Sequence, residues 1–357
     1  MIQYFTRKIF YSLLVLYGVV SLIFFIFNVV PGDPARLMLG QRADEESVRI
    51  IRKDLGLDQP KWKQYIKYLN DLSPLSLHST DRSSYFYLTP PYEPYFSLLK
   101  TDNLSFVVKA PYLRRSYQSR AEVTVIIAQT LPNTLILAFT AIVFASLLGV
   151  FLGIMAGIYK NSWFDRLALL FSAMGMSVPS FFAAILIGWL FAFKFGDFTG
   201  LNLTGNLFEV DDFGEGIHLH LQNLILPALT LGIRPLAIVI QLTRNSFLDV
   251  MSMDYIRTAR AMGISESKVV RKHALKNSLN PVITAISGWF ASMMAGVIFV
   301  EYIFGWKGLG YVIVDALNNY DLPVVLGAVL TISLIFVIIN ILVDITYGLL
   351  DPRVRVV

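Results

Sequence analysis

Long stretches without a single Asp, Glu, Lys or Arg constrain this chain more than any other feature. They run from Ile9 to Gly32, Val123 to Tyr159, Leu167 to Phe193, Asn280 to Val300 and Leu322 to Val343. A further one, Leu219 to Thr243, is broken only by Arg234. A helix that crosses a bilayer needs about 20 predominantly apolar residues. The pattern predicts an all-α polytopic membrane protein with six transmembrane helices. Composition agrees: 15% of the 357 residues are charged, against about 25% in soluble domains. So few charges cannot cover a water-soluble globule. A cytoplasmic enzyme is excluded on that ground, and no nucleic-acid partner is expected in spite of the net charge of +5. With no cysteine and 4 histidines, disulfides and thiolate chemistry are unavailable. No catalytic residue and no metal site is expected.

Arg7 and Lys8 precede the first apolar run, as in a signal peptide. The run exceeds a signal peptide's apolar region and no small-residue cleavage pattern follows, so it reads as a retained helix. Cations in short loops set orientation. One side collects Arg7 and Lys8, Lys160 and Arg166, seven cations between Arg244 and Lys276, and Arg353 and Arg355; the other has only Lys194 and Lys307. Both termini are therefore expected in the cytoplasm. The chain divides into 1–32, the first transmembrane helix; 33–122, an extracytoplasmic insertion; and 123–357, a five-helix core with a cytoplasmic loop at 244–280. The insertion has helical periodicity around Glu45–Leu55 and Trp62–Leu69. Extended or irregular structure is expected over Ser73–Gln118, where Pro90-Pro91 breaks any helix.

Inside the apolar runs, Gly149, Gly153 and Gly157 recur every four residues, a spacing that lets helices approach closely. Packing within the chain is the simpler use and a subunit contact the other. Pro179, Pro227 and Pro235 remove backbone donors and favour kinks that suit a gate or cavity, though kinks are common in membrane helices. Arg234 lies mid-span, where a charge normally faces a cavity or a partner. It either lines the path and meets an anionic group of the substrate, or pairs within the chain for packing.

In the cytoplasmic loop, Met253–Gly263 reads as a short amphipathic helix. Tyr255, Ile256, Ala259 and Met262 share one face and Arg257 and Arg260 another. Ser252 is the expected N-cap and Gly263 the left-handed C-terminal stop. Ser265 then caps a second helix over Glu266–Lys276.

Arg257-Thr-Ala-Arg-Ala-Met-Gly263, followed by His273-Ala-Leu-Lys-Asn-Ser-Leu279, resembles the cytoplasmic EAA loop of ABC-importer permeases of the dipeptide/oligopeptide/nickel subfamily. Other stretches match in order: Pro31-Gly-Asp-Pro-Ala35, Leu55-Gly-Leu-Asp-Gln-Pro60, Ser177-Val-Pro-Ser180, Phe304-Gly-Trp-Lys-Gly-Leu-Gly310 and Leu350-Asp-Pro-Arg353. Only about Ser73–Gln118 is unmatched; it is longer than the family's usual connection and lacks its glycine-rich motif. Arg257-Thr258 stands where the general consensus has Glu-Ala, as is usual in the subfamily.

The resemblance implies a permease subunit in a bacterial cytoplasmic (inner) membrane. Its partners would be a second homologous permease, two ABC ATPase subunits and an extracytoplasmic substrate-binding protein. The 252–277 hairpin would dock on an ATPase through Asp254, Arg257, Thr258, Ala259, Arg260, Ala261, Gly263 and His273. Ala259 and Ala261 would allow close approach, and Arg257 and Arg260 would offer charge pairs. The substrate would be a short peptide; nickel chelates and oligosaccharides occur in the broader family. No G-x-x-x-x-G-K-[ST] is present, so ATP is expected on the partner subunits and no cofactor on this chain. Gly305–Gly310 has the wrong spacing and reads as a turn with an interfacial Trp306. The rival reading is an ion-gradient-driven secondary transporter or channel. Against it, Asp344 stands alone near a helix end, whereas ion relays need intramembrane carboxylates or histidines.

Overall fold

The computed structural model describes residues 2–29, 34–39, 44–88, 94–210 and 216–350. Pro31–Asp33, Pro90-Pro91 and Asp351–Arg355 lie outside the described residues. The chain is mostly helical. Among the described residues, four uninterrupted helices contain segments long and apolar enough to cross a membrane. They are α1 (Ile2–Val29), α5 (Val123–Ile158), α9 (Gln222–Met251) and α15 (Leu322–Leu350). The chain clusters into two compact units. One comprises 1–9, 130–311 and 334–357, the other 10–129 and 312–333.

The second unit contains the insertion. Short helices α2 (Pro34–Leu39), α3 (Glu45–Asp54) and α4 (Lys61–Leu72) precede a three-stranded antiparallel sheet. Its strands are β1 (Leu75–Ser79), β2 (Tyr95–Lys100) and β3 (Leu104–Lys109), in the order β1-β3-β2. Asp44 caps α3 by accepting from Ser47 N at 2.7 Å. Helix α4 buries Tyr68 against Val20 and Phe24 of α1 and Leu326 of α15, and Tyr65 OH meets Ser21 Oγ at 2.5 Å. The sheet's polarity is partly inverted. Ser76, His78, Ser105 and Lys109 face inward beside Val107, while Leu75, Leu77, Phe96, Leu99 and Leu104 are exposed. Lys109 is held there by donating to the Asp71 carbonyl at 2.5 Å. Asp321, just before α15, is buried and accepts from Ser116 Oγ and from Tyr117 N at 2.9 Å, fixing the end of the insertion.

In the first unit one of the expected spans is broken at Pro179. The run Leu167–Phe193 is not one straight helix. It is α6 (Trp163–Ser177) and α7 (Ser180–Ile187, continued by a π-helical turn Gly188–Lys194), bent by 113° at the break. Val178 precedes a proline and is pushed out of the helical region, at φ −78° and ψ 126°. Pro179, at φ −62° and ψ 141°, starts the next helix. By contrast Pro227 and Pro235 both lie within α9, which continues through them. After α8 (Gly196–Thr199), Phe208–Val210 (β4) pairs with Ile217–Leu219 (β5), so α9 begins at Gln222 rather than Leu219. Helix α13 (Asn280–Ile303) bends by 57° between Met294 and Gly296, and α14 (Leu309–Asn318) follows.

The long helix α9 is the most buried of the four. The Gly149, Gly153 and Gly157 face of α5 packs on it. A Cβ at these positions would lie 2.7 Å from Val239 Cγ1, 2.6 Å from Thr243 Cβ and 2.6 Å from Phe247 Cδ1 respectively. Trp306 is not interfacial: it is fully buried, and its Nε1 donates to Asn133 O at 3.0 Å. Asp344 is not alone: Lys8 pairs with it.

Candidate transport and coupling sites

The cytoplasmic loop folds as two short helical pieces around a turn. Helix α10 (Asp254–Ala261) is followed by Gly263 at φ +76°. A β-carbon is disfavoured in that left-handed conformation, which explains the glycine. The second piece is α11 (Glu266–Lys268), a π-helical turn (Val269–Ala274) and α12 (Leu275–Ser278). Ser252 does not cap α10. Its hydroxyl turns back to Asp249 O at 2.7 Å, and Met253 occupies the N-cap position. Ser265 does hold the N-cap position of α11, without a side-chain bond.

One face of α10 is anchored in the chain itself. Ile256 and Ala259 are buried with Phe247, Val250, Val269 and Ala274. This corrects the expected close approach through Ala259, which faces inward with Ile256; Tyr255 and Met262, expected on the same face as these two, are exposed. The eight residues of α10 bring only Ile256 and Ala259 onto the cluster; Tyr255 is instead engaged by Asn277 Nδ2, 2.9 Å from its hydroxyl.

The outward surface carries Asp254, Arg257, Thr258, Arg260, Ala261 and Gly263, with His273 half-buried beside it. Both arginines have partners within the hairpin. Arg257 lies 3.3 Å from Asp254. Arg260 grips Glu266 with two bonds, Nη2 to Oε1 at 2.6 Å and Nε to Oε2 at 3.1 Å, across the Gly263 turn. The Arg260 bond holds the Glu266 carboxyl below its usual range. The clasp is present above that range and is lost as pH falls through the lowered value. Thr258 donates to Asp254 O at 3.0 Å.

A largely buried ion pair joins the start of α6 to the C-terminal part of α9. Arg244 Nε donates to Asp165 Oδ1 at 2.5 Å and Nη2 to Oδ2 at 2.8 Å. Asp165 also accepts from Asn161 N at 2.9 Å, and Ser162 caps α6 by accepting from Asp165 N. A second buried acid, Glu301, ends α13. It accepts from Thr134 Oγ1 at 2.7 Å and from Gly310 N at 2.6 Å, joining α5, α13 and the start of α14. Neither acid is among the candidate site residues that the sequence offers. Ser162-x-x-Asp165 is a capping-box signal just before an apolar run, and could have located the first.

Arg234 is exposed on α9, as are Gln222, Ile225, Asn245 and Asp249, and its guanidinium makes no hydrogen bond or ion pair among the described residues. Pairing for packing inside the described chain is therefore absent. Pro179 stands at the α6–α7 elbow. Beside the elbow is an apolar cavity of about 600 Å³ lined by residues such as Phe171, Met174, Val178, Leu186 and Ile233, with no polar side chain to hold a peptide.

Residues 149–356 match the family described as binding-protein-dependent transport system inner membrane component, and residues 1–79 match the N-terminal part of that membrane component. The chain belongs to this family. It is an inner-membrane, multi-pass permease of an ABC importer in the dipeptide/oligopeptide group, a transporter component rather than an enzyme. Membership implies ATPase subunits and a substrate-binding protein as partners. It is 32% identical over 372 aligned positions to the dipeptide transport system permease protein DppB of Alkalihalophilus pseudofirmus, covering 99% of this chain and 100% of that protein. It is 34% identical over 355 positions to the glutathione transport system permease protein GsiC of Escherichia coli K12, covering 99% of both. Among solved structures, the inward-facing MetNI methionine ABC transporter aligns with a TM-score of 0.51 at 14% identity, over 64% of this chain and 97% of that one. That likeness concerns the fold.

Proposed function

We propose that this permease moves short peptides inward across the membrane and receives the ATPase stroke through its 252–277 hairpin. Four long helices and the two bent pairs together make six crossings, with both termini in the cytoplasm. The thirteen-to-two distribution of short-loop cations supports this orientation. The peptide cargo is supported by relatives named for dipeptide and glutathione transport.

The observation that carries the coupling role is the construction of the hairpin. Its inner face is locked to α9 through Phe247 and Val250, while its outer face presents Asp254, Arg257, Thr258, Arg260 and Ala261. A push on that outer face is passed to α9, the helix that carries Arg234. ATP, bound on the partner ATPases, supplies the differential affinity that shifts the permease pair between inward- and outward-open states. Arg234 lines the path and meets the carboxylate terminus of a peptide, and Pro179 holds the elbow beside it.

The experiment is Gly263→Val in the assembled complex. A β-branched residue is strained at φ +76°, so transport is lost while membrane insertion persists. A reporter at Ser267 in the same protein is reached only from the cytoplasm. Normal transport by the variant, or labelling of Ser267 by an impermeant reagent from outside, removes the hairpin from this role.

A further inference from the structure

The insertion forms an open cavity that the transport cycle just described does not use. It measures about 640 Å³ and lies between the end of α3, helix α4 and the segments 82–87 and 112–117. That volume falls within the roughly 300–1,000 Å³ of small-molecule sites. Its lining is unbalanced in charge: five cations, Lys53, Lys67, Arg82, Arg114 and Arg115, face two carboxylates, Asp54 and Asp71.

The internal pairings leave most of this excess in place. Asp71 is buried and occupied by Arg114, whose Nε lies 2.8 Å and Nη2 2.7 Å from Oδ2. Arg115 turns to Glu122 at 3.2 Å. Lys53 and Arg82 have no side-chain partner among the described residues. Lys67 is the most telling. Its ammonium donates to the Tyr85 carbonyl at 2.7 Å and lies 4.2 Å above the Tyr85 ring, and makes no further hydrogen bond among the described residues. Burial pushes it below the usual ammonium range. A half-desolvated cation with unused protons is stabilised by an anion brought beside it.

Four tyrosines, Tyr85, Tyr87, Tyr112 and Tyr117, join Leu55, Gly56 and Ser84 in the rest of the wall. Such rings take an apolar or aromatic body and offer hydroxyls to its polar edge. Gly56, at φ +67°, forms the floor under Tyr85; a Cβ there would lie 2.5 Å from Tyr85 Cε2. The ring can close over the backbone only because position 56 has no side chain.

We propose that this cavity binds a small organic anion, a carboxylate carried on an aromatic or apolar body, with Lys67, Lys53 and Arg82 meeting the charge and the tyrosines the body. The inference stands on the geometry of the insertion and is independent of the cargo proposed above. Its test requires no transport, so each can fail without the other.

The probe is N-acetyl-tyrosyl-tyrosine, as free acid and as C-terminal amide, titrated calorimetrically into the permease complex in nanodiscs without ATP or binding protein. The acid is expected to bind at least tenfold more tightly than the amide. Lys67→Met, which keeps the apolar stem over Tyr85, and the exposed pair Lys53→Gln with Arg82→Gln should each weaken the acid about tenfold. Lys100→Gln, an exposed cation on β2 outside the cavity, should change nothing. Inorganic phosphate should compete poorly, since it leaves the aromatic wall empty. Equal binding of acid and amide, no binding at millimolar acid, or equal losses from Lys100→Gln and Lys67→Met would each overturn the proposal. So would binding that is removed by Arg234→Ala and untouched by Lys67→Met.

Discussion

Replacing each glycine of the α5 ladder by alanine should produce losses in a defined order. At Gly153 the new methyl would lie 2.6 Å from Thr243 Cβ and 2.7 Å from the Ile240 carbonyl oxygen. The carbonyl belongs to a helix backbone and cannot step aside, so α5 and α9 must separate. Overpacking of this kind costs about 1–3 kcal/mol, partly offset by the ~0.5–1 kcal/mol gained when alanine replaces glycine within a helix. A net loss of about 1–2 kcal/mol is expected, some five- to thirtyfold in the folding equilibrium. At Gly149 the obstacles are the Val239 side chain at 2.7 Å and the Leu236 carbonyl at 3.3 Å, and a smaller loss follows. At Gly157 the obstacle is the Phe247 ring at 2.6 Å, whose rotation can absorb part of the clash. Gly288, with nothing within 4 Å, is the control, and alanine there should be neutral or stabilising. Unfolding in mixed detergent micelles, read by circular dichroism, gives the four values. If Gly153→Ala is as benign as Gly288→Ala, the two helices do not meet at this face.

Asp165→Ala should cost about 3 kcal/mol, the low end for breaking a buried pair, because the Arg244 side chain retains 14% exposure. The double change Asp165→Leu with Arg244→Leu should recover most of it, and thermal unfolding of the purified complex decides. Arg234→Ala should leave the complex assembled yet lower uptake of peptides with a free carboxylate more than that of amidated analogues. Arg234→Lys should restore only part, lacking the planar fork; equal losses for both peptides would take Arg234 off the path.

The membrane class of the fold was legible because charge-free runs leave little freedom: α1, α5, α9 and α15 fall where the runs predict. The 113° elbow was only half legible. Pro179 marks a break, but the angle depends on what α6 and α7 pack against, and α9 tolerates two prolines without a break. Pro90-Pro91 pointed to extended or irregular chain in the insertion, yet the burial of its polar residues emerges only when β1, β2 and β3 are paired. Asp165, Glu301 and Asp321 were hidden for a common reason. An acid at the end of an apolar run looks like a solvated loop residue until its partners, Arg244, Thr134 and Ser116, are brought in from distant sequence. In the hairpin, the Gly263 turn was readable from residue type alone. That Ala259 shares a face with Ile256 was readable from their spacing; that this face packs on Phe247 was not, because the partner comes from α9.

The central claim is that this chain serves an ATP-driven importer rather than an ion-coupled carrier. Proteoliposomes holding the permease pair and ATPases, supplied with the binding protein and a radiolabelled dipeptide, separate the two. The expected result is accumulation that requires ATP on the ATPase side and continues when proton and sodium gradients are collapsed. Uptake that persists without ATP while an ion gradient is maintained would contradict the account.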